Sequence, residues 1–174
     1  MKHKLYVHIG SDTFDKKLFK PIKNIEHFVK PSGGLWGSPI DSAYGWEDWV
    51  KSNNFNNTLG FEKYGKARFC FKLKDTAKLL YIDKVDILKD LPQVNDDVFQ
   101  IAKPFVTLDF ESLKQDYDAI ELDISADSEL YWELYGWDVD SILVLNPDVV
   151  DIIDMWLGGR YMKIFFDTEF TRII

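Results

Sequence analysis

The alternation of apolar and polar side chains predicts that β-strands dominate this chain. Residues 4–11, Lys-Leu-Tyr-Val-His-Ile-Gly-Ser, form an apolar, β-favouring run that ends at Gly10, which predicts a short strand followed by a turn. Alternate residues of a strand point to opposite faces, so Tyr6 and His8 share one face and the aliphatic residues between them share the other. Similar patterns predict strands at 66–73, 79–82, 117–124, 140–145, 149–156 and 162–166.

Apolar residues at helical spacing predict several short helices between these strands. The stretch 40–50 is one of them, with Asp41 or Ser42 as its N-terminal cap, and Pro92 stops another over 84–91. Two more are predicted at 110–115 and 128–135.

The remaining segments add no second domain. Residues 53–60 are predicted to form a loop that could cover a cleft. Residues 95–107 are predicted to be a connection, because they show no clear helical or strand periodicity. No internal repeat or linker is present. The expected fold is therefore a single strand-rich α+β domain over residues 1–174.

Residues 30–39, Lys-Pro-Ser-Gly-Gly-Leu-Trp-Gly-Ser-Pro, are the least ordinary stretch. They place three glycines, two prolines and Trp36 within ten residues. Glycine allows close approach of a ligand to the backbone, and proline restricts the backbone conformation. A tryptophan held by such a segment has a fixed position, so Trp36 is a candidate wall of a binding site. The alternative is a Gly/Pro turn whose tryptophan fills an edge of the core.

Composition narrows the class of protein. The chain has 174 residues, of which 46% are hydrophobic, enough to build a core. It has no apolar run of about 18 residues and no basic segment followed by an apolar one at its start, which argues against a membrane span and a signal peptide. The expected location is cytoplasmic, without a membrane partner.

The charge pattern restricts the partners. A net charge of −8 argues against nucleic acid, because binding phosphates requires a concentrated patch of Lys and Arg. Lysines are frequent in the first third, whereas residues 83–154 are rich in Asp and Glu. That asymmetry fits an anionic small ligand near the N-terminal half, a basic protein partner on the acidic face, or simply a solvated surface.

Cysteine and histidine usage gives no sign of a metal site. Cys70 is the single cysteine and lies in an alternating run, so we predict that it is a small core residue and not a nucleophile. The three histidines, at positions 3, 8 and 27, lack the spacing of a helical metal site.

Four pieces of the chain, taken in order, resemble the small bacterial and phage members of the ADP-ribosyltransferase superfamily. Residues 6–11 resemble the family's tyrosine-histidine-glycine-threonine opening, and 33–39 with the following helix resemble its glycine-x-tyrosine strand and helix. Residues 73–91 are similar to its middle section. The pair 117–120 and 141–149 resembles its tyrosine-aspartate-glycine-isoleucine and asparagine-proline ending.

The resemblance spans about residues 4–150 and implies a split pair of antiparallel β-sheets with short helices around a cleft that binds NAD as substrate. In the family, a histidine on the first strand holds the adenosine-side ribose and the nicotinamide amide, and an aromatic residue on the second strand stacks on nicotinamide. These positions correspond to His8 and Trp36. Further residues in or beside the same motifs are candidates for NAD contacts: Gly10, Gly34 and Ser38, with Ser11 and Lys30 expected near the pyrophosphate.

The sequence departs from the family at its catalytic glutamate, where it has Ser141 preceded by Asp140. Breaking the N-glycosidic bond of NAD builds positive charge on the ribose, and a carboxylate stabilises that charge. Ser141 can form a hydrogen bond but carries no charge, and Asp140 reaches the cleft only through a bulge or a twist. Glu133 is a second candidate carboxylate, with an exposed helix position as its alternative.

The resemblance implies an NAD-dependent mono-ADP-ribosyltransferase that modifies a protein target, as a bacterial or phage effector does. The missing glutamate motivates an alternative, an inactive relative that binds NAD or a related nucleotide, or an acidic protein-interaction module. An NAD hydrolase stays open, because water can replace the target nucleophile. A relative that acts on RNA is disfavoured by the negative charge.

Overall fold

The computed structural model describes residues 4–26, 28–52, 68–94 and 105–153. Within these residues the fold is α+β, with seven strands in one mixed sheet and a few short helices. The strands are β1 (Leu5–Ile9), β2 (Leu35–Pro39), β3 (Arg68–Leu73), β4 (Leu79–Ile82), β5 (Ala119–Leu122), β6 (Ser141–Val144) and β7 (Val150–Ile153). The α-helices are α1 (Trp46–Ser52), α2 (Phe110–Asp116) and α3 (Glu129–Glu133), and 3-10 helices span Lys16–Leu18, Val85–Asp90 and Pro147–Val149.

The strand order in the sheet is β4-β5-β6-β2-β1-β3-β7. Neighbouring strands are antiparallel, except that β4 and β5 are parallel. This pair departs from the antiparallel sheets that the family resemblance implies. The chain leaves β4 through the 3-10 helix Val85–Asp90 and returns through α2, and such a crossover brings the next strand back in the same direction.

Strand β2 joins two halves of the sheet. Its first three residues, Leu35 to Gly37, pair with β6, and its last two, Ser38 and Pro39, pair with β1. Strand β1 pairs with β2 over two residue pairs, Tyr6 with Pro39 and Val7 with Ser38. Towards His8, β1 continues along β3 while β2 continues along β6. The two strands therefore diverge at His8.

Each face of the sheet carries a hydrophobic cluster. The helical cluster lies beneath the helices and combines strand residues such as Ile120 and Leu143 with Leu88, Leu113 and Leu130 from the helical segments. The opposite cluster gathers residues from β1, β2, β3, β5 and β6, among them Tyr6, Phe69, Phe71, Ala119 and Ile142. Cys70 is buried in β3, as predicted.

The sheet bends towards the opposite cluster. The Tyr6 hydroxyl donates to Glu121 Oε2 at 2.7 Å, although β6 and β2 lie between β5 and β1. Three strand spacings would separate these residues by about 14 Å in a flat sheet, more than one tyrosine side chain can span. Lys4 also contacts the Glu121 carboxylate, so the bend buries this carboxylate to 2% exposure between a phenol and an ammonium group.

Several element boundaries differ from the sequence predictions. Helix α1 begins at Trp46 and not at residue 40, because Ser38 Oγ accepts the Trp46 N–H at 2.9 Å and takes the capping role predicted for Asp41 or Ser42. The predicted loop at 53–60 and the strand at 162–166 lie outside the described residues, as does most of the connection at 95–107. No helix in the described ranges is long and apolar enough to cross a membrane.

Candidate functional site

The divergence of β1 and β2 is marked by a side chain that replaces a strand-pairing hydrogen bond. The His8 imidazole Nδ1 lies 2.7 Å from the main-chain carbonyl oxygen of Trp36. The His8 ring thus occupies the gap that opens after the Val7–Ser38 pair. Two of the predicted NAD-contacting residues are brought together at this junction, and their contact joins the two halves of the sheet.

The contact with Trp36 sets the tautomer of His8. A carbonyl oxygen only accepts, so Nδ1 of the neutral ring carries the proton and donates it, and Nε2 keeps a free lone pair. Nε2 lies near Gly10, where an added Cβ would be 3.8 Å from it. A ligand hydroxyl or amide N–H that enters beside Gly10 would find an acceptor there.

Burial lowers the pKa of His8 below its ordinary value of 6.5, and the hydrogen bond to Trp36 opposes this shift only in part. In the unfolded chain His8 binds a proton at a higher pH than in the folded protein. The free energy of unfolding is therefore expected to fall as pH drops below 6.5 towards the lowered pKa.

The measurement is urea unfolding of the wild type and His8→Gln between about pH 8 and pH 5. Carboxylates contribute equally to both proteins, so the difference between the two curves isolates His8. The wild type should lose more stability than the variant as the pH falls. Parallel losses would show that His8 is not held neutral by burial.

The side chains of His8 and Trp36 lie in different clusters. The His8 ring packs against Phe69, at 5.0 Å between ring centroids, in the opposite cluster. The Trp36 ring packs against Trp137, at 4.8 Å, in the helical cluster. The two rings therefore lie on opposite faces of the sheet and meet only through the hydrogen bond of His8 to the Trp36 main chain.

Lys30 lies over two tryptophans beside this junction. Its ammonium group is 4.6 Å from the Trp46 ring centroid and 5.6 Å from that of Trp36. Burial lowers the pKa of Lys30, and the charge of Asp138 opposes that shift. Any ring that stacks on this side of Trp36 must displace the ammonium group.

The glycine pair before β2 serves the fold. A Cβ at Gly34 would lie 2.5 Å from Leu143 Cδ1 and 2.9 Å from the Val144 carbonyl oxygen, so the protein's own core fills the space beside it. The prediction that Gly34 admits a ligand is not supported by this packing. Gly10 differs, because a Cβ there would meet only His8 Nε2, at an ordinary contact distance of 3.8 Å, and its φ is +122°.

Two of the predicted serines make local structural bonds. Ser11 Oγ donates to the Thr13 carbonyl at 2.7 Å and stabilises the exposed turn after β1. Ser38 is 2% exposed and caps α1, as described above. Ser11 is half-buried next to the exposed Gly10, whereas Ser38 is buried beneath the start of α1.

Asp140 links two turns. Its Oδ2 accepts hydrogen bonds from the hydroxyls of Ser42 and Ser125, at 2.8 and 2.9 Å, and its Oδ1 accepts the Ser125 N–H at 3.1 Å. The carboxylate is 6% exposed. Three hydrogen bonds to the protein account for this group without a ligand, so the predicted catalytic role has a structural alternative.

Asp140→Asn tests whether the Asp140 carboxylate has a structural role, because that role predicts a loss of stability. The amide carries no charge and has one acceptor oxygen, so the three charge-assisted hydrogen bonds are weakened or lost, and we expect destabilisation by about 1 to 3 kcal/mol in urea unfolding. The matched control is Asp148→Asn, at an exposed carboxylate. Unchanged stability of Asp140→Asn would contradict the structural role.

The other predicted catalytic residues also take defined places. Ser141 is fully buried in β6, and its hydroxyl donates to the Val139 carbonyl at 2.8 Å, which keeps it from a ligand in this conformation. Glu133 is half-buried at the end of α3, where its main-chain carbonyl accepts the Val106 N–H. Of the three carboxyl or hydroxyl candidates, Glu133 is the least enclosed.

Sequence reasoning missed the residues around Lys30. Nothing in the local pattern places Trp46 or Trp137 near Lys30, yet the Lys30 ammonium group lies over the Trp46 ring, and Trp137 packs against Trp36, the second ring beneath Lys30. A signal existed in the density of tryptophans, because three of the chain's six lie at 36, 46 and 137. The alternation of residues does not tell which distant segments meet.

Among the described residues, no group of three or more His, Cys, Asp and Glu side chains is arranged to hold a metal ion. Comparison with known proteins found no matching family model, no matching curated protein and no matching solved structure.

Proposed function

We propose that this protein binds NAD at the divergence of β1 and β2 and transfers its ADP-ribosyl group to a protein target. The observation that supports this most is the hydrogen bond between His8 and the Trp36 carbonyl. It joins the two residues that the resemblance assigns to NAD. The sharing of β2 between two half-sheets is compatible with the split sheet that the same resemblance implies.

The chemistry of the gap suits a nucleotide. Nε2 of His8 offers an acceptor to a ribose hydroxyl or to the carboxamide N–H, and it lies beside Gly10, which is exposed and has no side chain. Trp36 supplies an aromatic face for nicotinamide once Lys30 has moved aside.

In the proposed reaction the bond between ribose C1′ and the nicotinamide nitrogen breaks, and nicotinamide leaves with the electron pair. The target nucleophile then bonds to C1′ and releases its proton. The ribose carries positive charge in between, which a carboxylate stabilises. Glu133 is the candidate for this role, because Asp140 and Ser141 are engaged by the protein itself.

The experiment incubates the protein with NAD labelled in the adenylate part and a bacterial lysate, and follows label on protein together with free nicotinamide. We expect both products, a loss of about a hundredfold or more in rate for Glu133→Gln, and no change for Glu129→Gln at the exposed start of the same helix. Equal rates for the two variants would remove Glu133 from the mechanism. No product with the wild type would remove the transferase.

The hydrogen bonds of Asp140 and Ser141 favour one second candidate, a protein that binds NAD without cleaving it. It predicts that NAD raises the melting temperature, since a ligand that binds only the folded state stabilises it. It also predicts that no nicotinamide is released. Nicotinamide release without labelled protein would instead identify an NAD hydrolase.

A further inference from the structure

Three residues in contact with Trp36 or with one another, Lys30, Trp46 and Trp137, carry nitrogen donors without acceptors in the described part of the chain. The Lys30 ammonium lies over the rings of Trp46 and Trp36, and in the described part of the chain it forms neither a hydrogen bond nor an ion pair. Asp138 acts on it only as a charge at longer range. A half-buried cation held mainly by aromatic faces keeps its hydrogen-bonding capacity unused.

Two indole N–H groups share this condition. Trp46 Nε1 and Trp137 Nε1 are buried and, as far as the described residues extend, have no hydrogen-bond partner. Trp137 is only 1% exposed. Buried donors are almost always paired in folded proteins, so two unpaired indoles in one cluster need an explanation.

The three donors belong to one neighbourhood. Lys30 lies directly on the ring that carries Trp46 Nε1. Trp137 packs against Trp36, the second ring beneath Lys30, and the neighbouring Gly136 lies close enough that a Cβ there would be 4.0 Å from Lys30 Cε. By contrast, Trp36 Nε1 is satisfied, since it donates to the Gly33 carbonyl at 3.2 Å.

We propose that Lys30, Trp46 and Trp137 form an anion site that binds a phosphate or carboxylate group. The site offers one positive charge and two N–H donors, and a charged acceptor makes stronger hydrogen bonds with such donors than a neutral one. Burial of Lys30 strengthens its attraction for an anion, because little water screens it there. Asp138 limits the site to a ligand with few negative charges.

This inference does not depend on NAD. The same chemistry accepts the phosphate of a nucleotide or the carboxylate of an aromatic acid, whose ring would find the indole faces of the cluster. Binding of simple anions therefore tests this site independently of the proposed transferase activity.

The test is an NMR titration that follows the six tryptophan indole N–H signals, assigned by Trp→Phe variants. The probes are inorganic phosphate, pyrophosphate and benzoate, each at constant ionic strength. We expect saturable downfield shifts of the Trp46 and Trp137 signals, and a smaller change for Trp36, whose N–H is already bonded to Gly33. Preference for phosphate or for benzoate then distinguishes a nucleotide from an aromatic acid.

Substitutions at Lys30 test the charge. Lys30→Met keeps the aliphatic stem and should weaken binding by about tenfold or more, whereas Lys30→Arg should retain it. Lys17→Met, at an exposed lysine of the preceding 3-10 helix, is the matched control and should change nothing. The proposal is overturned if no anion shifts the two indole signals, or if Lys30→Met and Lys17→Met bind equally well.

Discussion

Gly33→Ala is expected to destabilise the protein by about 3 kcal/mol or more. A Cβ at this position would lie 2.4 Å from the Pro21 carbonyl oxygen and 2.6 Å from that of Lys20. Both obstacles are main-chain atoms and cannot rotate away. The φ of Gly33, +82°, adds strain for any residue with a side chain.

Gly10→Ala is the matched control, because Gly10 also has a positive φ, +122°, but a Cβ there would meet only His8 Nε2 at 3.8 Å, without a clash. Gly10→Ala should lower the free energy of unfolding only by the strain of the positive φ, about 1 to 2 kcal/mol. Urea unfolding of the two variants separates strain from steric overlap. If both lost the same amount, the segment before β2 would not be as tightly packed as the contacts with Pro21 and Lys20 indicate.

Glu121→Ala should have a comparable effect, a loss of about 3 kcal/mol in the free energy of unfolding. The substitution leaves the Tyr6 hydroxyl buried without its acceptor at 2.7 Å, and it deprives Lys4 of its partner. It also leaves a cavity where the carboxylate was. Burial, followed by the Glu121 charge, raises the pKa of Tyr6 strongly, so the phenol stays neutral and serves as the donor.

A double-mutant cycle with Tyr6→Phe measures the coupling between the two groups. If the hydrogen bond holds the bent sheet together, the double variant Tyr6→Phe/Glu121→Ala should lose clearly less than the sum of the single losses. Asp123→Ala, at the less buried carboxylate that accepts the Tyr81 hydroxyl, is the control and should cost much less. Additive losses would mean that Glu121 acts through packing alone.

The local elements could be predicted from the sequence where one pattern was strong. The strand positions of β1, β4, β5 and β6 and the position of α2 follow from alternation and from helical spacing. The predicted start of α1 at residue 40 was wrong because Ser38, eight residues before Trp46, supplies the cap from a neighbouring strand. A capping residue that belongs to another element cannot be recognised from the sequence around the start of the helix.

The environment of Glu121 could not be predicted for a related reason. Alternation assigns it to the face opposite Ile120 and Leu122, which is correct, but a carboxylate in such a position usually faces solvent. The bend of the sheet covers that face, and it depends on contacts with Lys4 and Tyr6, more than a hundred residues away in the chain. Long-range closure of this kind has no short sequence signature.

The assignment of His8 and Trp36 to one NAD site came from the family resemblance and stays a prediction; the structure places His8 Nδ1 2.7 Å from the Trp36 main-chain carbonyl oxygen. The environment of Asp140 depends on Ser42 and Ser125, which the sequence order does not place near it. Whether a polar strand residue meets a ligand or its own protein is decided by those tertiary neighbours.

The central claim is that a nucleotide binds where β1 and β2 diverge, and calorimetric titration of NAD into four proteins tests it most directly. These are the wild type, His8→Ala, Trp36→Ala and Trp132→Ala, the last at a tryptophan that is 59% exposed. The account predicts saturable binding to the wild type and to Trp132→Ala, and a loss of about tenfold or more in affinity for the other two variants. Absence of binding to the folded wild type, or equal affinity in all four proteins, would contradict it.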